Sequence, residues 1–541
     1  MMLASSSGRD EEELEMAALT DLGATTRGSE AATEQDVENA DLLAKEGAGK
    51  KAAIGKGIVK ADFEEEEEPS AAAVMAEFKL FGKLALPAVL IQLSFSLQNT
   101  YTSTYVGRHF GTVALTGFSL ANLSGNLVVL SLVMGLLSAA ETLTPQAFSL
   151  KQYREVGQIC ARSFFLCLFL LTPLGPILMY MDKILVFLGQ PEESAALAKE
   201  FLDIYAFAYP ALVFCECALR FYRAQNVTLP FVWLYVFVLC MHPVYVHLFA
   251  EVFEFGFQGA PMAHVASMNT LALLIFILFR FGKQHHPETF PASFDVEFWR
   301  KALLDKKGAW LVVQLGIPGI MSNSEWWFWE VVCFITGQAG TASLAAHTIA
   351  YSLIPLAFMI PLGYAIGLSS QVGQLLAVGK VLLAKKVARI GTIACCLTTT
   401  TFSVCIFIFR DAIVSSFTDD PQVKEQANAI WPWVCVFLLG DAIFGVTTGL
   451  IRALALQAQM SYAVLLSLWM LGMPLVLFTF KYLDRGVLGI WQSMPVIYFL
   501  LDSLLVICVL RKDWREYSRS ISAKFDNTDD SYEAKNLATL A

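Results

Sequence analysis

The chain has 541 residues, of which 56% are hydrophobic and 16% charged, and its formal net charge at pH 7 is −10. Soluble globular domains carry about 25% charged residues and lack apolar runs of about 20 residues, so this composition excludes a soluble protein and predicts an all-α membrane protein. The negative charge is concentrated in the first 70 residues, so it gives no information about a binding surface in the rest of the chain. We expect no nucleic-acid partner.

Residues 1–78 are predicted to form a disordered acidic cytosolic tail. Residues 1–70 contain 18 Asp and Glu against 7 Lys and Arg, including an unbroken run from Glu64 to Glu68. A segment with high charge and little apolar surface cannot bury enough to fold. We expect a solvated spacer, with a regulatory or trafficking role as the alternative.

Two sets of six apolar stretches, each long enough to cross a bilayer, follow this tail. They lie near 80–106, 113–140, 157–181, 198–220, 229–249 and 259–281, and then near 310–336, 342–368, 387–409, 428–451, 460–480 and 488–510. The stretches are continuously apolar, which predicts helices rather than strands. The predicted architecture is an N-terminal half at 79–281, a cytosolic linker at 282–309, a C-terminal half at 310–510 and a cytosolic tail at 511–541.

The charges of the loops predict the orientation of the chain. Connections after even-numbered spans carry fifteen Lys or Arg, whereas connections after odd-numbered spans carry seven. Because basic loops stay on the cytosolic side, we expect both termini in the cytosol. We expect the protein in the plasma membrane or in a vacuolar or other organellar membrane.

The two sets of spans are related in sequence. Pro87 matches Pro318, Gly135 matches Gly363 and Arg220 matches Arg452, at offsets between 228 and 232 residues. Because six spans is an even number, both halves enter the membrane from the same side and the repeat is parallel. Transporters built in this way place their sites between or within the halves, and the halves rock to alternate access.

The seventh span contains two carboxyl groups among tryptophans, Glu325 and Glu330. A charged side chain at the centre of a membrane helix costs about 2.5–3.5 kcal/mol, so such groups are expected to bind protons or a cation. Burial disfavours the charged form of a carboxyl group, which suits Glu325 to loading and releasing protons. Glu330 lies about 140° further round an ideal helix, so one acid can face a cavity while the other meets a neighbouring helix.

Three further acids in or next to the predicted spans are candidates. Asp441 is expected to bind protons together with Glu325. When two carboxyl groups lie close together, the loss of one proton makes the loss of the second proton harder. Asp502 is expected to be the buried partner of a polar neighbour. Glu141, near the cytosolic end of its span, is expected to pair with an arginine and to serve in a gate or in packing.

Other residues are candidates for lining a cavity or for bending a helix. Trp329 lies four residues after Glu325 and therefore on the same helix face. Pro87 and Pro318 are expected to kink the first span of each half and could act as hinges. The candidates for cavity lining are Trp326, Trp329, Gln98, Asn126 and Ser352.

No cofactor and no metal site is expected. The eleven cysteines all lie in apolar segments and lack metal-ligand spacing with histidine, so we expect them to be small packing residues. Each of the histidines in or near the spans, at 242, 264 and 347, stands alone in the sequence and is expected to pack as a polar core residue.

Over about residues 79–520 the chain resembles the multidrug and toxic compound extrusion (MATE) transporters, in their eukaryotic form. The strongest piece is Glu325-Trp326-Trp327 followed by Glu330, which resembles the signature of the family's seventh helix. Further matches occur in order at 141–148, 225–230, 360–373, 440–457 and 489–514.

The resemblance implies a MATE-like fold and a monomeric secondary antiporter, not an enzyme, with a cavity in each half. The expected function is export of organic compounds, cationic ones above all, in exchange for protons, with sodium as the alternative ion. Export of organic anions or conjugated metabolites and flipping of lipid-linked precursors are the competing transport functions. Ser352 stands where the vertebrate-like branch has a further Glu, so this chain lacks one charge that attracts cations.

Overall fold

The computed structural model describes residues 68–282, 284–291, 293–337, 341–418, 420–521 and 523. The predicted terminal tails fall largely outside these residues. The first helix begins at Ala71, earlier than the predicted boundary at 79, and Ser70 caps it by accepting a hydrogen bond of 3.2 Å from the Ala73 N–H.

The first six membrane crossings are built from long helices joined by short turns. The helices are Ala71–Gly125, Ser131–Ser149, Tyr153–Met179, Met181–Phe187, Glu192–Tyr205, Tyr209–Ala224, Leu229–His247 and Gly259–Phe281. The helical run from Ala71 to Ser149 has 79 residues. A straight helix of that length would measure about 120 Å, several times the thickness of a bilayer. Gly111 interrupts it with φ 82° and ψ −175°, a conformation that favours glycine, and so divides the first crossing from the second.

The second half repeats this order. Its helices are Lys306–Ser322, Ser324–Gly337, Thr341–Ala377, Val381–Ile408, Arg410–Phe417, Pro421–Ala453, Gln457–Val464, Met473–Leu477 and Gly486–Arg511. The seventh crossing is interrupted at Asn323, a break that was not predicted. The Asn323 side chain donates a hydrogen bond of 2.9 Å to the Ser131 carbonyl, so the break is fastened to the second span.

Ten helical runs among the described residues are long and apolar enough to cross a membrane. The run Ala71–Ser149 contributes two crossings, and the interrupted helix from Lys306 to Gly337 supplies the seventh. The described residues therefore hold twelve crossings, and every regular element in them is helical. The predicted all-α membrane architecture of two six-helix halves is confirmed.

A short helix, Val296–Leu304, lies in the predicted linker between the halves. The Asp295 carboxylate caps it by accepting hydrogen bonds of 2.9 and 3.1 Å from the N–H groups of Glu297 and Phe298. Asp295 also pairs with Arg154 at the start of the third span. The pKa of Asp295 is lowered, first by the hydrogen bond from the Phe298 N–H and then by Arg154.

Glycines allow the two halves to approach each other closely. A Cβ atom on Gly135 of the second span would lie 2.5 Å from the Ile320 Cα of the seventh. A Cβ atom on Gly363 of the eighth span would lie 2.8 Å from the Val89 N of the first. Gly135 and Gly363 occupy matching positions of the repeat, so each half provides one glycine that admits a helix of the other.

The hydrogen bonds between the halves concentrate towards one side of the helices. We call this side the terminal face, because the first helix begins there at Ala71 and the last span ends there at Arg511. Gln374 Nε2 donates to the Ala224 carbonyl at 2.9 Å, and Thr142 Oγ1 donates to the Arg452 carbonyl at 2.8 Å. These contacts close the terminal face.

Candidate functional site

Glu325 is buried, with 6% of its surface exposed, and two donors point at one of its oxygens. The Tyr498 hydroxyl, on the twelfth span, donates a hydrogen bond of 2.6 Å to Oε1. The Trp329 Nε1–H lies 3.1 Å from the same oxygen and 2.9 Å from the Tyr498 hydroxyl oxygen. In the described part of the chain Oε2 has no hydrogen-bond partner, so one oxygen is held while the other is available to a proton or a ligand.

Aromatic rings surround the Trp329 indole. Its ring centroid lies 5.0 Å from that of Phe437, 5.7 Å from that of Tyr351 and 6.0 Å from that of Trp491. The rings come from the seventh, eighth, tenth and twelfth spans. They pack against one another and exclude water from Glu325.

A second acid lies near Glu325, and a third lies near the second. Asp441 is only 3% exposed and lies within electrostatic range of both Glu325 and Asp502. Asp502 is 6% exposed, and its Oδ1 has no hydrogen-bond partner among the described residues. A Cβ atom on Gly440 would lie 3.2 Å from the Tyr498 Cβ and 3.6 Å from the Asp502 carboxylate, so this glycine lets the tenth span lie close to the twelfth.

We call Glu325, Asp441 and Asp502 the acid cluster. In the residues that the structure describes, no Lys, Arg or His forms an ion pair with any of the three. Carboxylates that face one another in an apolar site repel, and proton binding or a cation relieves the repulsion. The arrangement is therefore suited to exchanging protons for a positively charged ligand.

Glu330 lies outside this hydrogen-bonded arrangement. Its side chain is half-buried, and it forms no hydrogen bond or ion pair with a described residue. It lies within electrostatic range of Tyr351 and Cys333. Trp326 is half-buried as well, whereas Ser352 is exposed and donates a hydrogen bond of 2.7 Å to its own helix at the Ile349 carbonyl.

Gln98 and Asn126 belong to the first half. Gln98 is buried and donates to the Ser94 carbonyl at 3.4 Å, while its Oε1 lacks a partner among the described residues. Asn126 is exposed and, with Tyr205 and Tyr209, lines a small cavity. No hydrogen bond in the described residues links either amide to the acid cluster.

The structure brings together two histidines that stand alone in the sequence. The rings of His242 and His264 lie 4.6 Å apart, and His242 is hydrogen-bonded to the Thr102 hydroxyl at 2.7 Å and to the Ser267 hydroxyl at 2.8 Å. Both are buried, as expected for polar core residues, but they also pack against each other, a contact that was not predicted. Both lie equally far from the turn at Phe253 between the fifth and sixth spans, and that spacing could have predicted the contact.

Glu141 joins the two halves on the terminal face. Arg220 of its own half lies 3.2 Å from Oε1, and Arg452 of the other half lies 3.0 Å from Oε2. Arg220 also contacts Glu216 at 2.6 Å. The two arginines occupy matching positions of the repeat, so they approach the same carboxylate from opposite sides. An arginine partner for Glu141 was expected from the sequence, but the contact with Arg452 was not.

A known protein family matches this chain once in each half. The profile of the family described as MatE matches residues 87–248 and 319–478, one match in each half and together more than half of the chain. The protein belongs to the MATE family. It is an integral multi-pass membrane transporter of the multidrug and toxin extrusion type, and not an enzyme.

Relatives and solved structures agree with this assignment. This MATE protein is 26% identical to multidrug and toxin extrusion protein 1 of Danio rerio, over 80% of this chain and 72% of the relative. It is also 26% identical to multidrug and toxin extrusion protein 1 of Homo sapiens, over 82% of this chain and 76% of the relative. The crystal structure of the eukaryotic MATE transporter AtDTX14 superposes with a TM-score of 0.78 at 21% identity, covering 84% of this chain and 99% of that one. The bent form of the MATE transporter VcmN from Vibrio cholerae superposes with a TM-score of 0.71 at 14% identity, covering 84% and 99%. The fold is the MATE fold.

Proposed function

We propose that this MATE transporter exports organic compounds, cationic ones above all, in exchange for protons. The observation that carries the proposal is the buried Glu325 carboxyl, held on one oxygen by Tyr498 and Trp329 and accompanied by Asp441. A carboxyl group in an apolar site is neutral when protonated and attracts a cation when charged. An organic anion would be repelled by the same acids, which favours the cation.

The exchange cycle follows from competition for the acid cluster. An organic cation that enters from the cytosol stabilises the charged carboxylates and displaces protons. Protonation from the outer side then removes the negative charge and releases the cation. Asp441 shares the protons with Glu325, because charges in close proximity make the loss of a second proton harder. The aromatic rings around Trp329 supply the apolar part of the binding surface.

Glu330 and the remaining candidates take secondary roles in this proposal. Glu330 would guide a cation towards Glu325 from the half-buried side of the seventh span. Trp326, Ser352, Gln98 and Asn126 would line the path. Ser352 carries no charge. We therefore expect this site to prefer strongly basic cations less than a site with a glutamate at this position would.

Glu141 would act as the gate on the terminal face, which the loop charges predict to be cytosolic. Its contacts with Arg220 and Arg452 support a state in which the cytosolic side is closed. Opening that side requires the contact with Arg452 to break, and bending at Pro87 and Pro318 would let the halves rock. The transporter would work as a monomer, with halves at 79–281 and 310–510, in the plasma membrane or an organellar membrane.

The test is uptake of a fluorescent organic cation into proteoliposomes with an imposed pH gradient or sodium gradient. We expect uptake to follow the pH gradient and to be lost in Glu325→Gln. Asp411→Asn, whose side chain is 71% exposed, is the matched control and should retain uptake. Proton-driven uptake by Glu325→Gln would refute the role of Glu325, and uptake driven by sodium alone would refute the choice of ion.

A further inference from the structure

A second cavity lies between the halves on the terminal face. Its walls include Glu141, Arg220 and Arg223 from the first half and Ser369 and Ser370 from the second. Neither the exchange cycle nor the gate uses this space.

Several buried donors around this cavity lack partners in the described residues. Arg223 is 5% exposed, and its Nε and Nη2 atoms form no hydrogen bond. The Ser369 hydroxyl, 3% exposed, and the Arg220 Nε are unpartnered as well. Buried donors are satisfied in almost all folded proteins, and an unpaired guanidinium is among the most costly to leave. A ligand that accepts hydrogen bonds would satisfy them.

The charges around the cavity favour an anion. Arg220, Arg223 and Arg452 carry three positive charges, against two negative charges on Glu141 and Glu216. Glu141 is engaged by Arg220 and Arg452, and Glu216 by Arg220, at 2.6 to 3.2 Å. Arg223 forms no ion pair among the described residues. One positive charge is therefore left over, and Arg223 is the arginine with two nitrogens, Nε and Nη2, that form no hydrogen bond with a described residue.

We propose that this cavity binds a small monovalent anion, chloride, between Arg223 and Ser369. The free groups are N–H and O–H donors, which is what a halide requires. A single negative charge balances the surplus on Arg223, whereas a divalent anion such as phosphate would leave excess negative charge next to Glu141.

Chloride at this position joins the two halves. Arg223 belongs to the fourth span and Ser369 to the eighth, so the anion holds helices that must separate when the terminal face opens. The main chain beside the site is already fastened across the same junction, because Ser370 Oγ donates to the Arg223 carbonyl at 3.4 Å and Gln374 Nε2 donates to the Ala224 carbonyl. Chloride therefore stabilises the closed terminal face.

The proposal is tested by equilibrium binding of radioactive chloride to the purified full-length protein. Thermal unfolding is measured in parallel, with chloride replaced by gluconate at constant ionic strength. We expect saturable binding of one chloride per protein and an unfolding temperature that rises with chloride concentration. Arg223→Gln should abolish both effects. Ser369→Ala, which keeps every charge, should weaken chloride affinity by about tenfold, the effect of one hydrogen bond to a charged group.

The control is Arg154→Gln, which removes an arginine at the start of the third span that already pairs with Asp295 and should leave chloride affinity unchanged. Absence of saturable chloride binding in the wild type would mean that the cavity holds water only and would overturn the proposal. Equal losses in Arg154→Gln and Arg223→Gln would overturn it too, because the effect would then come from general surface charge. If Arg223→Gln does not fold, Ser369→Ala decides: unchanged chloride affinity refutes the site.

Discussion

Tyr498 donates a hydrogen bond of 2.6 Å to Glu325, although 173 residues separate them in the chain. The twelfth span therefore fixes the orientation of the acid on the seventh. Glu325 receives its second hydrogen bond from Trp329, one helical turn further along its own helix. Of the two donors, only Tyr498 links the acid to another helix, so movement between these spans changes the environment of the carboxyl group.

We predict that Tyr498→Phe lowers proton-driven uptake by about tenfold, because a hydrogen bond to a charged group contributes about 1.5–3 kcal/mol. The ring and its packing remain, so the loss reports the hydroxyl. Initial rates of uptake into proteoliposomes measure it. Tyr462→Phe, a change at a side chain that is 71% exposed, is the matched control. Equal rates for Tyr498→Phe and the wild type would show that the hydrogen bond does not serve transport.

The two aspartates of the acid cluster are expected to differ. Asp441→Asn should abolish proton-driven uptake, because Asp441 lies within electrostatic range of both Glu325 and Asp502. Asp502→Asn should retain at least half of the uptake, because the amide can replace the carboxyl as a buried polar group. Counting protons exchanged per cation provides a second measurement. Loss of uptake in Asp502→Asn alone would reverse the assignment.

The arginines that flank Glu141 should contribute unequally to stability. The Arg220 side chain is 6% exposed and contacts two glutamates, whereas the Arg452 side chain is 20% exposed and contacts one. Removing one partner of a buried ion pair leaves an uncompensated charge and costs about 3–5 kcal/mol. We therefore predict a larger fall in unfolding temperature for Arg220→Gln than for Arg452→Gln. Equal falls in unfolding temperature would mean that burial does not determine how much each arginine contributes to stability.

The sequence predicted the spans, the repeat and the shared face of Glu325 and Trp329, because helical periodicity and apolar length are local properties. It did not predict the contacts of Tyr498 with Glu325 or of Arg452 with Glu141. Those contacts depend on how distant helices pack, and no spacing in the chain encodes the rotation of one helix about its axis. The break at Asn323 was missed for a related reason, since the side chain that fastens it reaches a carbonyl of the other half.

The linker should show a pH dependence that comes from Asp295. Its pKa is lowered in the folded protein by the Phe298 N–H and by Arg154, so its contribution to stability is present above the ordinary pKa of about 3.9 and is lost as the pH falls through the lower folded value. Asn also caps helices well, so Asp295→Asn keeps the cap and removes the charge. We predict that Asp295→Asn loses less stability than the wild type between pH 5 and pH 3, measured as unfolding temperature. An identical pH profile would contradict the role of the charge.

Gly135 tests whether close contact between the halves is needed for transport. A Cβ atom there would lie 2.5 Å from both the Cα and the N of Ile320, so backbone rather than a flexible side chain must move. We predict that Gly135→Ala prevents full closure of the terminal face and reduces uptake at least tenfold, while the protein still inserts and folds. Gly82→Ala is the matched control, because a Cβ atom at Gly82 meets nothing within 4 Å. Cysteine-accessibility labelling at a terminal-face position should increase in Gly135→Ala and stay unchanged in Gly82→Ala. If the Gly135→Ala variant shows normal uptake and normal labelling, close contact between the halves at this position is not needed for transport.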